Sequence, residues 1–371
     1  MIKERLHSEK FINNLHIVHN DKFTDGYILF INENFNKKDN YFIVIGNNNR
    51  SQNEGFSLYD VDNVKHIKSL KSFRNFICIE QFMYRAKKIH VNGLFNIYLI
   101  MALCFQPWLL RKSNWIIWGA DLYNYKKTNR GWKEQIAESM KSFVIKRFSE
   151  ITANIIGDYE IAKTVYKTNA KYNKIEGFTK DTYRHFIDDL NTKPNQKDNK
   201  ETIFQVGNSA DPSNNHIEIL SKLLEFKNKK IKIIVPLSYG NEEHKKRVLD
   251  YGNKNFGDIF KPLIEFYPKE DYLKLLSTVD IGIFNHKRQQ GLGNINTLLR
   301  LGKKVYIRSD ISSWDHYNNN NINIYDTLSF FEESFEDAIY FDIKNSIANI
   351  KRMKEIRSKD KKVQYWDKIL V

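Results

Sequence analysis

Short apolar runs separated by amphipathic stretches set the rhythm of this chain. Runs of strand length fall at 15–18, 41–45, 89–91, 115–118 and 153–156, then at 202–206, 231–235, 264–266, 279–284 and 305–307. Segments with helical spacing of apolar positions separate most of them, as at 132–148, 216–226 and 271–277. Alternating strands and helices with short connections predict parallel sheets covered by helices on both faces. The polar stretch DDLNTKPNQKDNKE at 188–201 interrupts the rhythm and predicts a linker. Two α/β domains follow from it, 1–190 and 201–342, with a basic helical tail at 343–371.

The chemistry gathers where predicted strands end. The segment FNHKRQQGLGNINTLLRLGKK (284–304) reads as strand end, polar loop, helix over 294–301 and the start of a second strand. In a parallel sheet such a loop lies where ligands bind. Arg288 offers a planar fork to a diphosphate and Lys287 a point charge. Gln289 and Gln290 can pair with sugar hydroxyls in both donor and acceptor sense, and Gly291 and Gly293 allow close backbone approach. The second domain opens TIFQVGNSADPSNNHI, a strand over 202–206 leading to Gly207, Asn208 and Ser209. Pro212 predicts the first turn of a helix capped by Ser209 or Asp211, whose free N–H groups would favour phosphate. Tyr239 and Glu265 complete the donor set. No G-x-G-x-x-G fingerprint is present, so nicotinamide chemistry loses support.

In the first domain, NWIIWGADLYNY (114–125) delivers Gly119, Ala120 and Asp121 to a strand's carboxyl end. Asp121 is the best-placed general base or acceptor-hydroxyl ligand, or else the cap of the next segment. His16, His19 and Asp21, around the end of the first strand, are weaker candidates. The DVD triplet at 60–62 has the form of a metal-binding Asp-x-Asp but lies outside a clear strand-to-loop transition, and no metal site is assigned.

Composition narrows the class. Of 371 residues, 41% are hydrophobic, enough to bury two cores and to exclude a disordered chain. Cys78 and Cys104 lack metal-ligand spacing and predict no disulfide framework, which favours a reducing compartment. The first twenty residues lack a signal peptide's apolar run, and the longest apolar stretch, 94–110, is short of a membrane span. The net charge of +15 is uneven: residues 1–200 hold 32 Lys and Arg against 21 Asp and Glu. That excess suits an anionic surface or a polyanion. Arg85, Lys87, Lys88, Arg111 and Lys112 flank the apolar stretch and are the expected acceptor- or membrane-facing cations. No helix-turn-helix, zinc or RNP-type signature supports nucleic acid as the polyanion.

Taken together, IIWGADLY (116–123), VGNS through DPSNNHI (206–217), IIVPLSYG (233–240), DYLKLLSTVDIGIF with RQQGLG (271–293), GKKVYI and SSW (312–314) resemble glycosyltransferase family 56. The resemblance covers roughly residues 110–330. It implies a GT-B architecture, two facing Rossmann-like domains, with no required metal or other cofactor and a peripheral place on the cytoplasmic face of a bacterial inner membrane. It leaves the sugar open; the leading reading is transfer of an amino-deoxyhexose, similar to 4-acetamido-4,6-dideoxygalactose, from a dTDP- or UDP-sugar to a polyprenyl-diphosphate-linked saccharide in surface polysaccharide synthesis, of the common-antigen or O-antigen kind. Many GT-B enzymes carry two glutamates eight residues apart here; Gln289 and Thr297 stand at those positions. A GT-B sugar-nucleotide epimerase is the alternative.

Overall fold

Two parallel sheets, each built around its own core, organise the chain in a computed structural model that describes residues 11–21, 23–47, 61–127, 129–177, 184–190 and 201–371. One unit runs to Asp181 and takes back Lys359–Val371; the other is Thr182–Ser358.

The first unit holds β1 (Ile12–His19), β2 (Asn40–Ile45), β3 (Val64–Ile67), β4 (Ala86–Asn92), β5 (Ser113–Ile116), β6 (Glu150–Ala153) and β7 (Lys171–Lys174). Their order is β3-β2-β1-β4-β5-β6-β7, with every pair parallel. The second holds β8 (Thr202–Val206), β9 (Ile231–Pro236), β10 (Phe260–Leu263), β11 (Ile281–Phe284), β12 (Lys304–Ile307) and β13 (Tyr325–Asp326), ordered β10-β9-β8-β11-β12-β13 and again all parallel. Each sheet reverses direction once, at β1/β4 and at β8/β11. The crevice at such a reversal is where open α/β sheets bind ligands.

The central strands are apolar because helices cover both faces. Leu15, Ile17, Ile43, Ile89, Val91 and Trp115 are buried in the first sheet, and Phe204, Val206, Ile233, Val235 and Ile283 in the second. Strands β3 (VKHI) and β7 (KYNK) escape the apolar pattern because they are polar edges, as sheet edges commonly are. Two expected strands shift. The run at 153–156 gives β6 ending at Ala153, and Ile156 opens the next helix. The run at 264–266 is not strand: β10 ends at Leu263, and Ile264, Glu265 and Phe266 stand exposed beyond it.

The basic tail divides. Helix Ile343–Ile356 packs Met353 and Ile356 into the second unit's core, while helix Lys359–Leu370 belongs to the first. There Trp366 is fully buried, 5.5 Å from the Tyr27 ring, and donates to the Gly177 carbonyl. The expected linker at 188–201 is described only in part: residues 191–200 lie outside the described residues, and Ile187, in helix Arg184–Asp189, is buried in the second unit's core.

Candidate functional site

At the β8/β11 reversal two loops are stitched together by side chains. Gly207 turns the chain out of β8 at φ 69°, its N–H donating to the Ile283 carbonyl of β11. A Cβ at Gly207 would lie 2.5 Å from His216 Nε2 and 2.7 Å from Asn214 Oδ1. Asn214 is the hub beneath it. Its Oδ1 accepts from the Asn208 N–H at 2.9 Å and from His286 Nε2 at 2.8 Å, and its Nδ2 donates to the Asp211 carbonyl. Gln290, from the β11 loop, donates to Ser209 Oγ at 3.2 Å and accepts from Ser213 Oγ at 2.6 Å. The Gln290 amide therefore holds the two loops together, where the sequence had offered it to sugar hydroxyls. Gln289 is buried, with its backbone carbonyl accepting from Arg288 Nη1.

Arg288 reaches back to the other loop. Its Nη2 lies 3.0 Å from Asp211 Oδ2. Burial would push the Asp211 carboxyl up, but bonds from Ser213 and the Arg288 guanidinium outweigh it and leave the group below the usual carboxylate range. His286, fully enclosed beside Arg288, is driven down to about 3, first by burial and then by that guanidinium. His216 falls to about 3 through burial and the neighbouring His244 and His286 rings. The floor of this site is thus neutral imidazole, and its cations are Arg288, paired with Asp211, and the exposed Lys287, 3.6 Å from Glu218.

The helix expected at 209–212 starts later. Pro212–Asn214 forms a 3-10 turn capped by Asp211, Asn215 turns left-handed at φ 50°, and the helix is His216–Leu223. The Asn208 N–H is already bonded to Asn214, so the phosphate argument at Asn208 and Ser209 loses one of its donors. The His216 helix has no side-chain cap but carries Glu218 in its first turn, so the start better suited to an anion is on the other loop. Helix Leu292–Arg300 begins after Gly291, left-handed at φ 70°, with no side-chain cap and no acidic residue in its first turn. A Cβ at Gly291 would lie 2.8 Å from His286 Cε1, whereas one at Gly293 meets nothing within 4 Å. Open space over uncapped N–H groups beside an arginine suits an anion. Thr297 Oγ1 is spent on the Gly293 carbonyl.

Beside these loops, Tyr239 accepts from Asn208 Nδ2 and stacks on Phe266, ring centroids 5.9 Å apart at 9°. Phe266 and Glu265 belong to a segment, 262–268, lining an open cavity of about 500 Å³. Exposed stacked rings at a strand's carboxyl end offer an apolar face for a planar base. The sequence does not mark out Phe266, Asn214 or His286: Phe266 reads as part of the apolar run at 264–266, and its exposure shows only in the structure.

In the first unit Asp121 does not fit the role of a base. It is fully buried, with Oδ2 accepting from the Leu94 N–H at 3.1 Å and Trp115 Nε1 at 2.8 Å, and Oδ1 accepting from the Trp118 N–H at 3.0 Å. The buried Lys141 donates to its carbonyl. A carboxylate so enclosed fixes the β4 and β5 loops. His16 is likewise structural: it bonds Tyr27 and Asn40 and stacks on His90, with burial lowering its pKa to about 4. His19 differs. It ends β1 at the β1/β4 reversal with its ring edge-on to Phe95, and burial lowers its pKa against the pull of Asp21 and Asp121. Asp21 accepts from the Phe23 N–H nearby. Of the DVD triplet, Asp60 lies outside the described residues and Asp62 is exposed.

The profile of the family described as 4-alpha-L-fucosyltransferase, glycosyl transferase group 56, matches residues 18–371. The chain belongs to glycosyltransferase group 56. Solved structures agree on the fold. Anabaena HepE, in complex with UDP and glucose, superposes with a TM-score of 0.68 at 10% identity, over 96% of this chain and 99% of that one. A glycosyltransferase from Rickettsia africae gives 0.62 at 12%, over 96% and 98%. The E. coli trehalose-6-phosphate protein bound with UDP-2-fluoro glucose gives 0.61 at 8%, over 96% and 98%. These identities establish the GT-B fold alone. The group 56 enzyme is a glycosyltransferase with two parallel-sheet α/β domains.

The five cations expected to face acceptor or membrane sit at the amino end of the first sheet in this glycosyltransferase, around the starts of β4 and β5. Lys88 pairs with Glu150 at 3.1 Å, and Lys112 donates to the Tyr84 and Ala86 carbonyls. Arg85, Lys87 and Arg111 are exposed.

Proposed function

We propose that this glycosyltransferase transfers an amino-deoxyhexose from a dTDP- or UDP-sugar to a polyprenyl-diphosphate-linked saccharide at a membrane surface. The observation that carries the donor half is that one loop at the β8/β11 reversal holds both Arg288 and, four residues on, the uncapped start of helix Leu292–Arg300. The departing diphosphate gains negative charge as the glycosidic bond breaks. Helix N–H groups and a guanidinium aimed at that charge stabilise it without a metal. Gly207, Asn208, Ser209, Gln289, Gln290 and Gly291 shape the loops that hold it, Gly293 leaves room above the helix start, and Tyr239, with Phe266 and Glu265, flanks the base. The UDP and glucose held by Anabaena HepE support a nucleoside-diphosphate donor here. The family description names fucose, a 6-deoxyhexose, and so supports the deoxy-sugar class.

On the acceptor side, His19 takes the place that Asp121 cannot fill. A neutral imidazole at the β1/β4 reversal, with Asp21 close by, can accept a hydroxyl proton. A lipid-linked acceptor requires an enzyme that meets an anionic bilayer; among the described residues no helix is long and apolar enough to cross one.

Mass spectrometry of the lipid product tests the reading. Incubation with dTDP-4-acetamido-4,6-dideoxygalactose and a polyprenyl-diphosphate disaccharide should extend the lipid by one sugar and release dTDP. A free altered sugar formed without acceptor would instead establish the epimerase.

A further inference from the structure

Helix Trp132–Ile145 in the first unit is built the wrong way round for a solvent-facing helix. Val144 and Ile145 are buried, as is Lys141. Its outward face should then be polar. Instead it carries Trp132, Ile136 and Phe143, exposed by 68%, 52% and 36%. Spacings of four and seven residues put the three on one stripe. Cations lie against the rings at both ends: Lys133 Nζ is 5.4 Å from the Trp132 ring centroid and the Arg147 guanidinium 3.6 Å from that of Phe143. Residues 126–147 hold seven Lys and Arg against two Glu. Both glutamates are engaged, Glu134 with Lys127 and Glu138 with the Tyr166 hydroxyl. The stripe also has a neighbour. Cys104 Sγ contacts the Met140 carbonyl, bringing up the end of helix Ile97–Phe105, where Phe105 is 71% exposed and Trp108 beyond it 56%.

We propose that helix Trp132–Ile145 is a bilayer-docking element, its Trp132, Ile136 and Phe143 stripe entering the interface of an anionic membrane while Lys126, Lys133, Lys146 and Arg147 meet the headgroups. Aromatic side chains flanked by Lys and Arg on one helix match an in-plane interfacial helix. A second protein copy is a poorer fit, because the cores of protein interfaces are depleted in Lys. At 14 residues the helix is far too short to span, so it lies in the plane. This deepens the lipid-acceptor reading and rests on it for the membrane as partner. It differs from docking by Arg85, Lys87, Lys88, Arg111 and Lys112, two of which are engaged within the protein.

The test is sedimentation of the full chain with vesicles of phosphatidylethanolamine and phosphatidylglycerol. The variants are Trp132→Ser/Ile136→Ser/Phe143→Ser and, for comparison, Arg85→Gln/Lys87→Gln/Arg111→Gln. The wild type should bind, the stripe variant should lose about tenfold or more of its affinity, and the comparison variant should lose less. The stripe variant should keep its unfolding temperature and its binding of UDP or dTDP, which separates a failed docking surface from a failed donor site. Vesicle binding unchanged in the stripe variant, or absent in the wild type, would overturn the proposal. So would a lipid-independent dimer that the same substitutions dissolve.

Discussion

Arg288 Nη2 lies 3.0 Å from Asp211 Oδ2, joining the two loops at the β8/β11 reversal. The arginine positioned for a diphosphate is already neutralised by a carboxylate, so an incoming anion must compete with Asp211. Opposite effects follow from the two partners. Arg288→Ala should weaken nucleoside-diphosphate binding by about ten- to a hundredfold, the worth of a charge-assisted contact of about 1.5–3 kcal/mol, and leave nucleoside binding nearly unchanged. Asp211→Asn, which keeps an acceptor for the Ser213 N–H, should tighten diphosphate binding. Calorimetric titration of both variants checks the pair; equal losses for nucleoside and nucleotide would place Arg288 outside the diphosphate site.

Asp121→Asn should act on stability before chemistry. Three N–H donors converge on the carboxylate oxygens, and an amide turns one oxygen into a fourth donor. Leaving a buried donor unmatched costs about 1–3 kcal/mol. Thermal unfolding should show the loss, with donor affinity retained in the protein that stays folded.

His19→Gln should do the reverse. The side chain is at a strand end, where it meets Phe95 and bonds the Gly93 backbone but binds fewer groups than the Asp121 carboxylate, so unfolding should change less while turnover falls about a hundredfold or more. A steady-state rate near wild type would remove His19 as the base.

Acid should destabilise both units through buried histidines. His16 at about 4, and His216 and His286 at about 3, are depressed below the unfolded value of about 6.5. The unfolded chain therefore binds more protons between those limits. Stability is fully present above about pH 6.5 and is lost as pH falls toward the folded values, by at most about 1.4 kcal/mol per pH unit for each histidine. Denaturant midpoints measured across that window should fall with acidification; a flat profile would mean that these rings are accessible to protons in the native state.

The sequence was most readable where burial was two-sided. Central strands such as β2, β8 and β11 show as apolar runs because helices cover both of their faces, and the loops after β8 and β11 stood out as polar insertions at strand ends. Edges were harder, since VKHI and KYNK have half-exposed, polar strands. Ile264 and Phe266 misled in the opposite sense, apolar residues left exposed at a strand's carboxyl end. Within the site, residue type announced function but not partnership. Gln290 is spent on Ser209 and Ser213, Asp121 on three N–H groups, and the helix start moved to His216 because Asn215 adopts a left-handed turn. Those outcomes depend on which loops meet, and that is decided by the strand order.

Titrating the wild-type protein with UDP and with dTDP, in a calorimeter and in the presence of excess chelator, tests the central claim most directly. The account predicts saturable binding of at least one of the two, retained under chelation and weakened by Arg288→Ala. Binding that vanishes on chelation, or that is indifferent to Arg288, would contradict it.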